Sequence, residues 1–271
     1  MFRYRLAIVI SMFLLIDNQQ SQGTTIIVKF EQSRVLIAAD TRSDTSGPSM
    51  GIANHEVRDT HCKILLLGST GVAMTGLVDY HPVSFDDTLS TWDAMSDAKL
   101  SYEAVGNNTR KIASDWAKRS VAHYQEFFRV APARVAALAG ANAQNILDIG
   151  LFLGWEDKTP ILVVEAIAFN SMRLDPVSSS EILPPPGDSE LSTDNNTEEI
   201  IAGITDRAKD ASNRWNDIKA KITPNEMDQA RLNFLVRETS KIDPTVSPEA
   251  DILAIPIQGK GSWIEQSACK P

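Results

Sequence analysis

The chain has 271 residues, 43% of them hydrophobic and 23% charged, which is enough to bury a core in one large domain or two small ones. The formal net charge is −9 and no basic cluster is present, which sets aside nucleic-acid binding through a positive face. Residues 1–22 read as an export leader. Arg3 and Arg5 supply the positive start, and Leu6–Ile16 is an apolar run of 11 residues, short for a bilayer span and the size of a signal core. Ser21 and Gly23 occupy the small-residue positions before a cut, so cleavage after Gly23 is expected. Loss of residues 1–23 removes Arg3, Arg5 and Asp17 and leaves a net charge of −10. The other reading is a cytosolic pro-segment removed by self-cleavage at the same Gly23–Thr24 bond. No later stretch is apolar enough for a transmembrane helix, so no membrane contact is expected after the cut.

The cut would expose Thr24 as a new N-terminus. A terminal threonine carries a hydroxyl nucleophile and its own amine as the nearby base. Such an amine titrates near ~8, so a useful fraction is neutral at physiological pH. Thr25–Phe30 (TIIVKF) and Val35–Ala39 (VLIAA) are β-rich runs separated by the polar residues Glu31–Arg34, which predicts a hairpin. Pairing Phe30 with Val35 sets Asp40 opposite Thr25, beside the nucleophile. Ser43–His61 is polar, contains Gly and Pro, and reads as a loop. Ile64–Leu67 and Val72–Thr75 flank Gly68-Ser69-Thr70-Gly71, a turn signal; pairing Leu67 with Val72 sets Lys63 opposite Gly76. The wholly apolar ILLL suggests a sheet covered on both faces.

A short helix is expected over Phe85–Met95 and a long one over residues 101–128, with Ile112, Ala113, Trp116, Ala117, Tyr124 and Phe127 at helical spacing. Leu147–Trp155 and Ile161–Phe169 read as a strand pair joined at Glu156–Pro160. Residues 184–196, rich in Pro, Asp and Ser, read as an exposed loop. Apolar residues from Ile200 to Ile222 recur at helical spacing, with Asn196 and Glu199 as a start signal. Thr223-Pro224-Asn225-Glu226 caps a following helix, which holds Met227, Ala230, Phe234 and Val236 and lies antiparallel to the one before. DILAIPIQ and SWIEQ close the chain as a strand pair around Gly259–Gly261. Strands, helices, strands, helices and strands in turn suit an α+β fold with two stacked sheets between helix layers. No repeat or linker divides residues 24–271, which read as one domain.

GTTIIVKF, VLIAADTR, the strand start KILLLG and the segment VAMTG, with LFLGWEDKTPILVVEA further on, resemble the proteasome β-subunit group of N-terminal-nucleophile hydrolases. The resemblance implies a four-layer αββα sandwich, a threonine peptidase acting on peptides or proteins, and a homo-oligomer such as a ring. It implies Thr24 as nucleophile, Lys63 as the cation that depresses the amine's pKa and polarises the hydroxyl, and Asp40 as the group that holds Lys63. It gives Gly76 the backbone N–H for the oxyanion, and Arg42 a bracing role in ion pairs. Asp243 and Ser247 in KIDPTVSPEAD resemble the family's late Asp-x-x-Ser pair around the terminal amine, with one residue more between them. The chain departs from the family in a longer gap between Asp40 and Lys63, and in having only PPPGDSELS (residues 184–192) where a Ser-Gly-Ser-like segment stands.

His55, His61, His81 and His123 show no metal-ligand spacing, and no metal or cofactor is expected. Cys62 and Cys269 stay open: export permits one disulfide, but sequence alone does not pair them. Two other functions use the same residues. One is a catalytically silent scaffold subunit. The other is an amidohydrolase of the same nucleophile type that cleaves a small amide, since fold and nucleophile do not fix the substrate.

Overall fold

The computed structural model describes residues 24–31, 33–44, 57–58, 61–76, 79–80, 92–130, 146–170, 175–183, 198–203, 227–241 and 246–269. Strand β1 (Thr25–Phe30) and strand β2 (Arg34–Asp40) form the first hairpin. Phe30 pairs with Val35 and the ladder runs on to Ile26 and Ala39, the register expected. The β-branched Ile26, Ile27 and Val28 suit a pleated surface packed on both sides, and all of β1 is buried.

Strands β3 (Ser43–Asp44) and β4 (Val57–Arg58) pair within the stretch read as loop, so that reading is corrected at these residues. The second hairpin forms from β5 (Ile64–Leu67) and β6 (Thr70–Gly76), but its register differs from expectation. Leu67 pairs with Thr70 and Ile64 with Ala73. The turn is the two residues Gly68-Ser69, with positive φ at Gly68 (62°), so Thr70 and Gly71 join the strand. The slip is two residues, so every side chain keeps its face. Lys63 therefore lies beside Met74, whose N–H donates to the Lys63 carbonyl at 3.2 Å, and not opposite Gly76.

Strands β7 (Asp79–Tyr80) and β8 (Trp92–Asp93) pair briefly. Of the short helix expected over Phe85–Met95, residues 85–91 fall outside the described residues and Trp92–Asp93 is strand; helix α1 (Ala94–Val105) begins where the Asp93 carboxylate accepts the Met95 and Ser96 N–H groups. The single helix expected over residues 101–128 is broken. Gly106, at φ 72°, ends α1, and α2 (Thr109–Val130) begins after it. The buried face of α2 carries Ile112, Ala113, Trp116, Ala117, Tyr124 and Phe127, as the spacing predicts.

Strands β9 (Ile146–Glu156) and β10 (Thr159–Asn170) turn tightly at Asp157 and Lys158, both at positive φ (48° and 68°), and β11 (Asp175–Leu183) pairs with β10. Residues Glu198–Gly203 form strand β12, which pairs with β1, so the helix expected from Ile200 is corrected at its start. A sheet edge at β1 offers those residues a full ladder of hydrogen bonds, and this overrides their helical spacing. Helix α3 (Met227–Ser240) forms as expected, while its Thr223–Glu226 cap and the remainder of the preceding helix fall outside the described residues. Strands β13 (Ala250–Pro256) and β14 (Ser262–Glu265) pair as the sequence indicates.

Two five-stranded antiparallel sheets result, in the orders β12-β1-β2-β13-β14 and β11-β10-β9-β6-β5. Ile26, Val28, Ile37 and Ile255 of the first sheet meet Ile64, Ala73, Leu151 and Leu162 of the second in one apolar cluster. Trp116, Tyr124 and Phe127 of α2 pack on Met74, Phe152 and Val163 of the second sheet. Leu232, Leu235 and Val236 of α3 pack on Ile27, Leu36 and Ile252 of the first. The fold is α+β and compatible with a sandwich of two sheets between helices. Among the described residues, no helix is long and apolar enough to cross a membrane.

Candidate active site

The first hairpin carries Thr24 and Asp40 at its open end, and the second carries Lys63 just before β5. Because the two sheets face each other, these ends meet. The Lys63 ammonium donates to Thr24 Oγ1 at 3.0 Å and to both Asp40 carboxylate oxygens at 3.1 and 3.0 Å. Its three N–H bonds thus have three acceptors. Thr24, Asp40 and Lys63 are buried, at 6%, 0% and 3% exposure.

Asp40 is also held by the backbone. It accepts the N–H of Thr25 at 2.7 Å, of Arg42 at 3.1 Å and of Ser247 at 3.4 Å. This array keeps a charged carboxylate tolerable in a dry place and fixes where it points. Burial pushes the Lys63 ammonium below the ordinary lysine range; the Asp40 carboxylate opposes this, and the Arg42 charge adds to it. Arg42 thus sits close enough to act on Lys63 through its field, while its backbone braces Asp40.

Ser247 lies against Asp40, to which its N–H donates. Its hydroxyl accepts from Thr41 Oγ1 at 3.1 Å and from the Glu249 N–H at 3.1 Å, and it is fully buried. Asp243 and Gly23 fall outside the described residues. Gly76 closes β6 at φ 108°, opposite Asp148 of β9. A Cβ there would lie 2.6 Å from the Leu147 carbonyl oxygen and 2.8 Å from the Asp148 Cα. Both the backbone angle and the space demand glycine. Gly76→Ala should therefore cost about 2–3 kcal/mol in chemical denaturation, from φ strain and the clash with β9. A change under 0.5 kcal/mol, roughly the level of an ordinary surface substitution, would show that the β6–β9 contact is loose.

Two features escaped the sequence reading. Cys62 and Cys269 form a disulfide between residues 207 positions apart, and Cys62 directly precedes Lys63. Asp148 is buried on β9 among apolar neighbours, and among the described residues neither carboxylate oxygen meets a well-formed hydrogen-bond donor. Burial pushes its carboxyl well above the usual carboxylate range, the Ile149 backbone N–H opposing. A single acid inside the apolar run ILDIGLFLG was the available signal. His123 of α2 lies 3.2 Å from the buried Asp97 of α1.

The arrangement can polarise the Thr24 hydroxyl with a fixed cation whose counter-charge is held by backbone amides. Comparison of the chain with protein-family models and with curated proteins finds no match.

Proposed function

We propose that the protein is a threonine-type peptidase with the αββα fold of the N-terminal-nucleophile hydrolases, similar to proteasome β-subunits. One observation carries the reading: the Lys63 ammonium stands 3.0 Å from Thr24 Oγ1 while bridging both oxygens of Asp40. A lysine at a strand end is ordinarily solvated; one buried against a threonine hydroxyl has a cost that a chemical role explains.

Cutting the Gly23–Thr24 bond creates the α-amine. In its neutral form the amine takes the Thr24 hydroxyl proton, directly or through a water, as Oγ1 attacks a peptide carbonyl. Lys63 stabilises the developing charge on Oγ1 and, as a neighbouring cation, keeps the amine's proton affinity low. The Gly76 N–H is assigned to the oxyanion. The amine of the cleaved peptide leaves with a proton, an ester to Thr24 remains, and water then releases the acid and restores the hydroxyl. The leader is assigned to export by its charged start and apolar run, and a ring of copies to the assembly by resemblance.

The N-terminus and the turnover of a peptide amide test this together. Active material should begin at Thr24, and hydrolysis should appear with the cut. Protein that keeps residues ahead of Thr24 and turns over equally fast would remove the mechanism. Turnover of small amides alone, with peptides refused, would move the substrate and leave the chemistry.

A further inference from the structure

The Cys62–Cys269 bond joins two parts of the molecule that chain order keeps apart. Cys62 precedes Lys63 at the start of β5, a four-residue strand at the edge of its sheet. Cys269 belongs to the C-terminal tail beyond β14, in the other sheet. That tail is held by Asp251, a buried residue of β13 whose carboxylate accepts the N–H of Ser267 at 2.6 Å, Ala268 at 3.0 Å and Cys269 at 3.2 Å. Asp251 follows Ala250, the cross-strand partner of Asp40. A closed circuit therefore runs from Lys63 through Cys62 and Cys269 to Asp251 and Asp40, and from the Asp40 carboxylate back to the Lys63 ammonium. The sulfurs of Cys62 and Cys269 lie 2.9 and 3.3 Å from the Ile64 carbonyl oxygen, on the other side of Lys63 in sequence.

We infer that this disulfide is a redox-set positioning device for Lys63: the oxidised chain holds the ammonium against Thr24, and the reduced chain lets it go. An edge strand has a neighbour on one side only. Here the side of β5 away from β6 is joined, through the disulfide, to the tail that Asp251 of the opposite sheet holds. Without that bond, the backbone of residues 61–63 keeps the His61 N–H to Thr41 carbonyl contact and the Met74 N–H to Lys63 carbonyl contact, and the Lys63 ammonium keeps its bonds to Thr24 and Asp40, so non-covalent contacts alone hold the side chain in place. A buried ammonium has every reason to swing to water when its enclosure loosens. The inference rests on the peptidase reading for its consequence, and on geometry alone for the movement of Lys63. It makes activity a property of compartments where disulfides persist. Formation takes two thiols and a disulfide oxidant, which leaves as a dithiol; a reducing dithiol reverses the exchange and is itself oxidised.

The test compares oxidised protein beginning at Thr24 with the same protein treated with dithiothreitol, and with a Cys62→Ser/Cys269→Ser variant. Lysine acylation by acetic anhydride, read by mass spectrometry, reports Lys63 without reference to turnover. Lys29, also buried and paired with Glu31 in β1, is the internal control. On reduction Lys63 labelling should rise about tenfold while Lys29 stays protected and the circular dichroism is unchanged. In active protein kcat should fall about tenfold or more with KM held, a loss of transition-state stabilisation alone. The acid limb of the pH–rate profile should move to higher pH, because an amine farther from a cation binds its proton more tightly. Lys63 protected equally in both states overturns the inference. So does labelling of Lys29 and Lys63 together with loss of dichroism, which would make the bond a clasp for the whole fold. Inactive oxidised protein whose Lys63 labelling still responds to reduction would sink the peptidase reading and keep the lock.

Discussion

On the proposed threonine-peptidase mechanism, replacing Lys63 by methionine should lower kcat for peptide-amide hydrolysis about a thousandfold, close to the level of a Thr24→Ala protein. Two losses combine. The hydrogen bond to Thr24 Oγ1 at 3.0 Å disappears, and a single donor of that kind is worth about 10²–10³ in rate. The terminal amine also loses the cation that keeps it neutral, so less of the base is available near pH 7. Stability should fall as well, by about 3–5 kcal/mol, because Asp40 would be left buried at 0% exposure with three backbone N–H donors and without its bridging ammonium. The two effects separate in the double variant Lys63→Met/Asp40→Asn. Removing both charges should recover part of the stability, since the asparagine oxygen can still accept from Arg42 and Ser247 while its NH2 faces the Thr25 N–H, and none of the rate. A single Lys63→Met protein that turns over within tenfold of the unmodified one would mean that Thr24 is not activated from this side.

The parts of the site legible in the sequence were those set by short-range rules. The first hairpin's register followed from two β-branched runs and a polar turn, and it carried Asp40 to Thr24 without further information. Thr24, Asp40 and Lys63 meet although the second hairpin's register was read two residues out. The GSTG turn admits two placements, and a slip of two moves residues along the strand without turning them over. Glu198–Gly203 went the other way. Its apolar spacing continued a helical pattern, and only the vacant edge of β1 explains why it is a strand. The break at Gly106 is local and was readable; the helical spacing across residues 101–128 outweighed it. The Cys62–Cys269 pair spans 207 positions, and no local rule joins residues that far apart. Asp148 was hidden by composition, since a lone acid among apolar residues looks the same whether it faces water or a helix.

Asp148→Asn should stabilise the protein by an amount that grows with pH, and the sign follows from where the proton sits. In the folded chain Asp148 faces α2, with Gly150 next on its face of β9 against Trp116, and it raises the proton affinity of the buried Tyr124, whose own burial contributes most. Tyr124 is the titratable group felt from α2; Gly76 and Ile167 face it from the neighbouring strands and carry no charge. Burial holds the carboxyl well above its ordinary 3.8, while the unfolded chain releases that proton near the ordinary value. The native state therefore binds more protons between the two, and its stability declines as pH rises through that window. Asparagine has no proton to lose. The gap between the two proteins should be near constant below pH 3.8 and then widen in favour of Asn by about 1.4 kcal/mol per pH unit until the folded carboxyl ionises. Denaturant midpoints across a pH series read this directly, with Tyr124→Phe as the control that removes the neighbouring hydroxyl. Because Asp148 stands opposite Gly76 in the β6–β9 ladder, the same loss of stability would act on the strand end assigned to the oxyanion. Asp148→Asn should then keep its turnover at alkaline pH where the parent protein fades. A gap that stays flat with pH would mean that water or a cation reaches the carboxylate and that β9 is not closed over it.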